Sequence, residues 1–174
     1  MEELNRKSVE EFKSSDKTPL VVVLENVRSA YNVGSVFRTA DAFLLEGMYI
    51  CGYTAYPPHK EIKKTALGAD ETVQWKHFKK SSEAIEELKG LGYKVYAVEQ
   101  ARNSLKLHRF NQPGEKLAVV LGNEVTGVEQ ATIEQCDGCI EIPQLGMKHS
   151  LNISVAAGIV LWELFKNWFR QQEE

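Results

Sequence analysis

The stretch Ile140-Glu141-Ile142-Pro143-Gln144-Leu145-Gly146-Met147-Lys148-His149-Ser150-Leu151-Asn152-Ile153-Ser154-Val155-Ala156-Ala157-Gly158 passes from an apolar strand through a polar turn into an apolar helix. Pro143 and Gly146 force an irregular loop after the strand. Ser150 and Asn152 bracket the helix entry, where N-cap residue types belong. Such a segment sets unpaired main-chain donors and acceptors beside two hydrogen-bonding side chains. It can hold a polar small molecule largely by main chain.

Outward from this segment, strands and helices alternate. Leu20–Leu24 is an unbroken apolar run after Pro19, the pattern of a strand buried on both faces. Val33–Leu44 has helical period. Met48–Tyr53, Glu71–Trp75, Tyr93–Val98, Leu117–Leu121 and Cys139–Ile142 read as further strands. Ile62–Leu67, Ser81–Lys89, Val128–Glu134 and Asn152–Phe169 read as further helices. The expected fold is α/β, a mostly parallel sheet flanked by helices. In such sheets ligands sit beyond the carboxyl ends of the strands. Those ends carry Glu25 to Arg28, Glu99 to Arg102, Gly122 to Glu124 and Pro143 to Gly146, so the polar residues of interest share one edge. No repeat or linker divides the chain, and one domain spanning 1–174 is expected. Residues 1–17 are polar, with Leu4, Val9 and Phe12 at helical spacing, and read as a helical arm.

The chain has 174 residues, net charge −3 and 43% hydrophobic residues. That suits one domain with a sizeable core. The acidic balance argues against a surface coated with positive charge, though Lys60 to Lys64 and Lys76 to Lys80 are local basic runs that equally suit a solvated face. No basic-then-apolar leader opens the chain, and the longest apolar stretch, Ile153 to Leu164, is too short to cross a bilayer. A cytoplasmic protein without membrane contact is expected. Cys136-Asp137-Gly138-Cys139 has redox or zinc spacing but no second pair, and small structural side chains are the expected role. The last helix carries apolar residues almost all round its first three turns, as a helix does when it faces both a core and a second subunit. A homodimer follows, with a central core helix of a monomer as the alternative.

Several chemistries lose support. No Gly-x-Gly-x-x-Gly follows the first strand, and no phosphate-cradling Gly-rich loop is present. No histidine pair has metal-ligand spacing, so no metal is expected. Gly146 to Ser150 is not a nucleophile elbow.

Three segments together, Asn26 to Phe43, Leu121 to Val128 and Ile140 to Gly158, resemble in order the three motifs of the SpoU (TrmH-like) RNA 2'-O-ribose methyltransferases, of the SPOUT class. The resemblance covers about Leu20 to Phe165. It implies a deep C-terminal trefoil knot, with residues 117–165 forming the knot and cofactor region. It implies S-adenosylmethionine as cofactor, held around Val98, Glu99, Gln100, Leu121, Gly122, Ile142, Gln144, Ser150 and Leu151. Arg38 matches the motif-one arginine, either as proton acceptor or as phosphate and oxyanion clamp; an arginine base is awkward because its pKa lies above about 12. An ion pair with Asp41 on the same helix face is its plain alternative. Asn32, Glu124, Ser150 and Asn152 match the remaining catalytic positions. Asn32 also suits a plain N-cap, and Glu124 a solvated turn. The implied reaction is methyl transfer to a ribose 2'-hydroxyl, expected in tRNA, with rRNA or a non-catalytic RNA-binding role as alternatives. A 2'-hydroxyl target means RNA and not DNA. An unrelated flavodoxin-like or hydrolase domain would explain the alternation but leave the three motifs as coincidence.

Overall fold

The structure is a computed structural model that describes residues 7–112, 114–148 and 150–173. A short helix, α1 (Val9–Ser14), precedes the sheet, capped by Ser8 and closed by Glu11. It occupies part of the expected arm; residues 1–6 lie outside the described residues. Then follow β1 (Thr18–Glu25), α2 (Ala30–Ala42), β2 (Leu45–Cys51), α3 (Lys60–Ala66), α4 (Ala69–Thr72), β3 (Trp75–Phe78), α5 (Ser81–Gly90) and β4 (Tyr93–Val98). The last part contains β5 (Leu105–Lys106), β6 (Lys116–Leu121), α6 (Gln130–Ile133), β7 (Gly138–Glu141) and α7 (Ile153–Glu173).

The strands form one sheet in the order β3-β2-β1-β6-β4-β7-β5, and all six neighbouring pairs run parallel. Parallel pairing puts every strand's carboxyl end on the same edge, as the alternation requires. In β1, Leu20, Val22 and Leu24 point into one core layer, and Val21 and Val23 into the other. The first layer is closed by α2 and α7, the second by α5. Each fully buried Leu, Ile or Phe contributes about 1.5–3 kcal/mol, and both faces of the central strands supply them.

The helix pair α2–α3 is unusually close. Gly34 allows it: a Cβ there would overlap the Thr65 hydroxyl and the Ile62 carbonyl. Thr65 in turn donates to the Tyr31 carbonyl at 2.8 Å. This contact holds α3 beside the first turn of α2.

Three expectations need correction. Glu71–Trp75 is not a strand. Gly68, at φ 98°, opens the helical turn α4, and Ala69 and Val73 are buried four residues apart, a helical spacing. The strand starts at Trp75 and runs to Phe78. The last helix is not the enclosed core helix of the monomer alternative: Ile153, Ala157, Val160, Leu161 and Leu164 face the core, while Val155, Ile159 and Trp162 stay 51%, 39% and 50% exposed. Asp41 is not a partner of Arg38; it accepts from the Thr72 hydroxyl at 2.8 Å.

Candidate active site

Two loops meet at the carboxyl edge of the sheet, one after β1 and one after β6. The first ends in Ser29, whose hydroxyl accepts from the Asn32 N–H at 3.3 Å and caps α2. Asn32 therefore sits one turn inside the helix and is not its cap. Its side chain is free to reach outward. Glu124, from the second loop, accepts from the Arg28 N–H (2.9 Å), the Ser29 N–H (3.1 Å) and the Asn32 amide (3.3 Å). A carboxylate at a helix N-terminus is favoured by the unpaired N–H groups and the helix dipole. Burial pushes the Glu124 carboxyl up, but these hydrogen bonds outweigh it and hold it below the usual carboxylate value. Glu124 is thus ionised and locked, not a solvated turn residue.

The third segment joins the same chain. Asn152 donates its side-chain amide to the Asn32 side-chain oxygen, Oδ1, at 3.3 Å. Its own oxygen accepts from the Ser154 N–H (2.9 Å) and the Val155 N–H (3.4 Å), which caps α7. Asn152, Asn32 and Glu124 so form one polar line linking three segments that are far apart in sequence.

The loop after β6 is itself rigid. Asn123 is buried, accepts from the Val125 and Thr126 N–H groups, and donates to the Asn26 carbonyl (3.0 Å) and the Tyr53 hydroxyl (2.7 Å). Gly122 lies against Gly127, and a Cβ there would overlap the Gly127 main chain. Gly127 has φ 72°, the left-handed region that glycine adopts without strain. Glu99, at the end of β4, accepts from the Val128 N–H at 3.1 Å and ties this loop to the neighbouring strand. Below, the buried Glu25 accepts from the Glu129 N–H (2.8 Å) and from the Thr132 hydroxyl.

Beside the polar line is a cleft of about 270 Å³. All nine expected cofactor residues line it: Val98, Glu99 and Gln100 from β4's end, Leu121 and Gly122 from β6's end, Ile142, Gln144, Ser150 and Leu151 from the return loop. Ile153 and Ala156 add apolar wall. Among the described residues, no hydrogen bond engages the main chain of Gly122, Ile142, Gln144 or Leu151. The residues that carry those spare groups line a concave, partly apolar space, which is what a small heteroaromatic ligand needs. Two carboxylates without an ion-pair partner among the described residues, Glu99 and Glu124, also border it, a charge balance that suits a cationic centre; a third, Glu141, is paired with Lys106. Among the described residues no cluster of three or more His, Cys, Asp or Glu side chains could hold a metal ion.

The chain matches the SpoU rRNA Methylase family over residues 19–162. It belongs to that family. Its sheet and connectivity are those of the knot-containing SpoU fold. A putative TrmH family tRNA/rRNA methyltransferase of Staphylococcus saprophyticus is 33% identical over 158 residues, 91% of this chain and 63% of that one. An uncharacterised tRNA/rRNA methyltransferase of Synechocystis is 31% identical over 158 residues, 91% of this chain and 41% of that one. The chain therefore spans less than two thirds of these relatives. Among solved structures, the A. aeolicus TrmH/SpoU tRNA modifying enzyme superposes with a TM-score of 0.82 at 26% identity, covering 95% of this chain and 82% of that one. The AdoMet-bound rRNA methyltransferase of Sinorhizobium meliloti gives 0.81 at 26% identity, covering 87% and 57%.

In this SpoU chain, two of the five expected catalytic residues stand apart from the polar line. Arg38 is exposed, a turn and a half beyond Asn32 on α2, and does not border the cleft. No ion pair among the described residues involves it. Ser150 borders the cleft and makes no capping hydrogen bond among the described residues, whereas Asn152 caps α7. Asn123, Ser29, Asn26 and Glu25 went unassigned in the sequence. Asn26 had a readable signal, an Asn directly after a strand, and it adopts φ 53°, where Asn is enriched. Among the described residues, no helix is long and apolar enough to cross a membrane.

Proposed function

We propose that this protein is an S-adenosylmethionine-dependent RNA methyltransferase that modifies a ribose 2'-hydroxyl, with tRNA as substrate. The observation that carries the reading is the Asn152–Asn32–Glu124 line beside a cleft with unused main-chain groups. The residues present fit the cofactor. Apolar walls from Leu121, Ile142 and Leu151 suit an adenine ring, the spare main chain suits its hydrogen-bonding edge, and the Glu99 and Glu124 carboxylates suit a sulfonium. When bound, the cofactor supplies an electrophilic methyl carbon. The relative from Sinorhizobium meliloti is described as AdoMet-bound. tRNA is favoured because the chain matches 82% of the tRNA modifying enzyme from A. aeolicus but 57% of the rRNA methyltransferase. In this reading residues 117–165 are the cofactor region of one SpoU domain.

Within the chain, Glu124 and Asn32 position the start of α2 and hence Arg38. Arg38 is exposed to solvent, and a guanidinium carries donors but no acceptor. Its role is therefore a clamp: it holds a phosphate of the RNA next to the target ribose and stabilises the alkoxide as the hydroxyl proton passes to a phosphate oxygen. Arg38 stands away from its own chain's cleft, so the site is completed by a second copy. The exposed stripe Val155, Ile159 and Trp162 lies on α7, which packs on α2 through Phe43 with Trp162 and Phe165. A partner covering that stripe sits beside Arg38 and brings its own cleft toward it. Trp162→Glu is expected to convert a dimer to a monomer in size-exclusion light scattering and to abolish methyl transfer with it.

Calorimetric titration with S-adenosylmethionine tests the cofactor part, with saturable heat at one site per chain expected and no heat contradicting it. Asn152→Asp separates positioning from folding. Aspartate keeps the cap but cannot donate to Asn32. The thermal midpoint should hold, while methyl transfer drops about 10–100-fold, the usual cost of misplacing a reacting group. Unchanged transfer would remove the polar line from the mechanism.

A further inference from the structure

One basic run lies on and after the edge strand β3 and the other opens α3, four residues after an exposed aromatic side chain, Tyr56, that the methyl-transfer site does not use. Tyr56 is 45% exposed. One side of its ring is covered by His77, at 4.2 Å between centroids, and by Trp75, at 5.9 Å. His77 is fixed by its Nε2 contact with the Gly52 carbonyl at 3.1 Å. The Tyr56 ring is thus a supported platform with its remaining surface in solvent.

Three exposed lysines lie on the segments that adjoin it. Lys79 and Lys80 follow directly on β3, whose last residue binds the Gly52 N–H at 3.0 Å and so lies beside the 52–56 segment. Lys60 opens α3, four residues beyond Tyr56. All three lysines are exposed, and among the described residues none makes an ion pair, unlike Lys63 and Lys76, which are held by Glu71 and Glu87. In a chain of net charge −3, exposed lysines without an ion pair among the described residues are a local attraction for a polyanion. The surface is also continuous with the catalytic loops. Tyr53, 65% exposed, accepts from Asn123, the residue that organises the loop after β6. Its N–H donates to Asn26 at 3.3 Å.

We infer that this edge docks an unpaired stretch of the substrate RNA, one base stacking on Tyr56 and the flanking phosphates lying at Lys60, Lys79 and Lys80. Aromatic stacking with adjacent lysines is the chemistry of single-stranded nucleic-acid binding. A duplex, whose bases are already stacked, offers nothing to the ring. The inference rests on the RNA reading above and names which part of the RNA is held and where.

The test is filter binding of a mixed-sequence 20-nucleotide RNA, single-stranded and as its duplex, to the full chain across a salt series. The wild type should bind the single strand more tightly. Tyr56→Ala should weaken that binding about five- to 150-fold, as loss of one stacked base does, and Tyr56→Phe should restore it. Lys79→Gln with Lys80→Gln should leave the stacking but lower the salt slope by about 1.4, two phosphate contacts at about 0.7 each. Thermal midpoints should be those of the wild type, since all three side chains are at the surface. Equal affinity for duplex and single strand, or variants that bind as the wild type does, overturns the surface. Its failure is distinct from failure of the methyltransferase reading: wild-type cofactor heat and methyl transfer would persist in that case. If the surface behaves as expected in a protein that binds no cofactor, the surface stands and the catalytic reading falls.

Discussion

Replacing Arg38 with alanine is expected to slow methyl transfer by about 10²- to 10⁴-fold, the range lost when a positioned proton-transfer or charge-stabilising group is removed. The thermal midpoint and the heat of cofactor binding should stay at wild-type values. The reason lies in where the side chain sits. Arg38 is exposed, makes no ion pair among the described residues and does not border the cleft of its own chain. Nothing structural depends on it, so its loss can show only in the reaction. Lysine at this position keeps the charge but not the planar fork that grips a phosphate in two places. Arg38→Lys should therefore recover only part of the rate. Single-turnover kinetics with saturating cofactor check both, and a fully active Arg38→Ala enzyme contradicts the clamp.

Glu124→Ala should be the most disruptive single change in stability and activity together. It leaves two main-chain N–H groups and the Asn32 amide without their acceptor. Hydrogen bonds to a charged group are worth about 1.5–3 kcal/mol each, but these donors are partly exposed and water replaces some of the loss. A net destabilisation of about 2 kcal/mol is expected by urea unfolding. Methyl transfer should fall as well, because the start of α2 loses its anchor. The same contacts set a pH dependence. The folded-state pKa of Glu124 is below its unfolded value. Its contribution is therefore full above the unfolded carboxylate pKa of about 4.3 and is lost as pH falls through the lower folded value. The difference in stability between wild type and Glu124→Ala should be constant at neutral pH and shrink in acid below about pH 4. A difference that grows in acid would contradict the ionised, anchored carboxylate.

Much of the fold was legible because its strands are self-marking. Tyr93–Val98 was read end to end, since Gly92 sets its start and apolar alternation its course. Leu117–Leu121 and Leu20–Leu24 were short by one to three residues, all at polar ends where the ladder extends beyond the apolar run. Other elements left no local mark. β5 is two exposed residues joined to β7 by main chain and by the Lys106–Glu141 ion pair, a partner 35 positions away. The α4 turn depends on the left-handed Gly68 and on a hydroxyl contact with Asp41, a residue 31 positions away. At the site, Glu124, Asn32 and Asn152 were nameable by motif, but their mutual contacts are tertiary. Ser29, Asn26 and Asn32 are all cap-type residues within one short segment, and only the backbone decides that Ser29 caps the helix. Asn123 carried no local sign of burial, because what covers it, Tyr53 and the Asn26 carbonyl, comes from distant segments.

Methyl transfer from cofactor carrying a tritiated methyl group to unmodified tRNA, followed by digestion to nucleosides, tests the central claim directly. The label should elute as a nucleoside methylated on the ribose 2'-oxygen, at one position of the RNA, and should vanish with Arg38→Ala. Label on a base, or no label in tRNA at protein concentrations that saturate RNA binding, would contradict it.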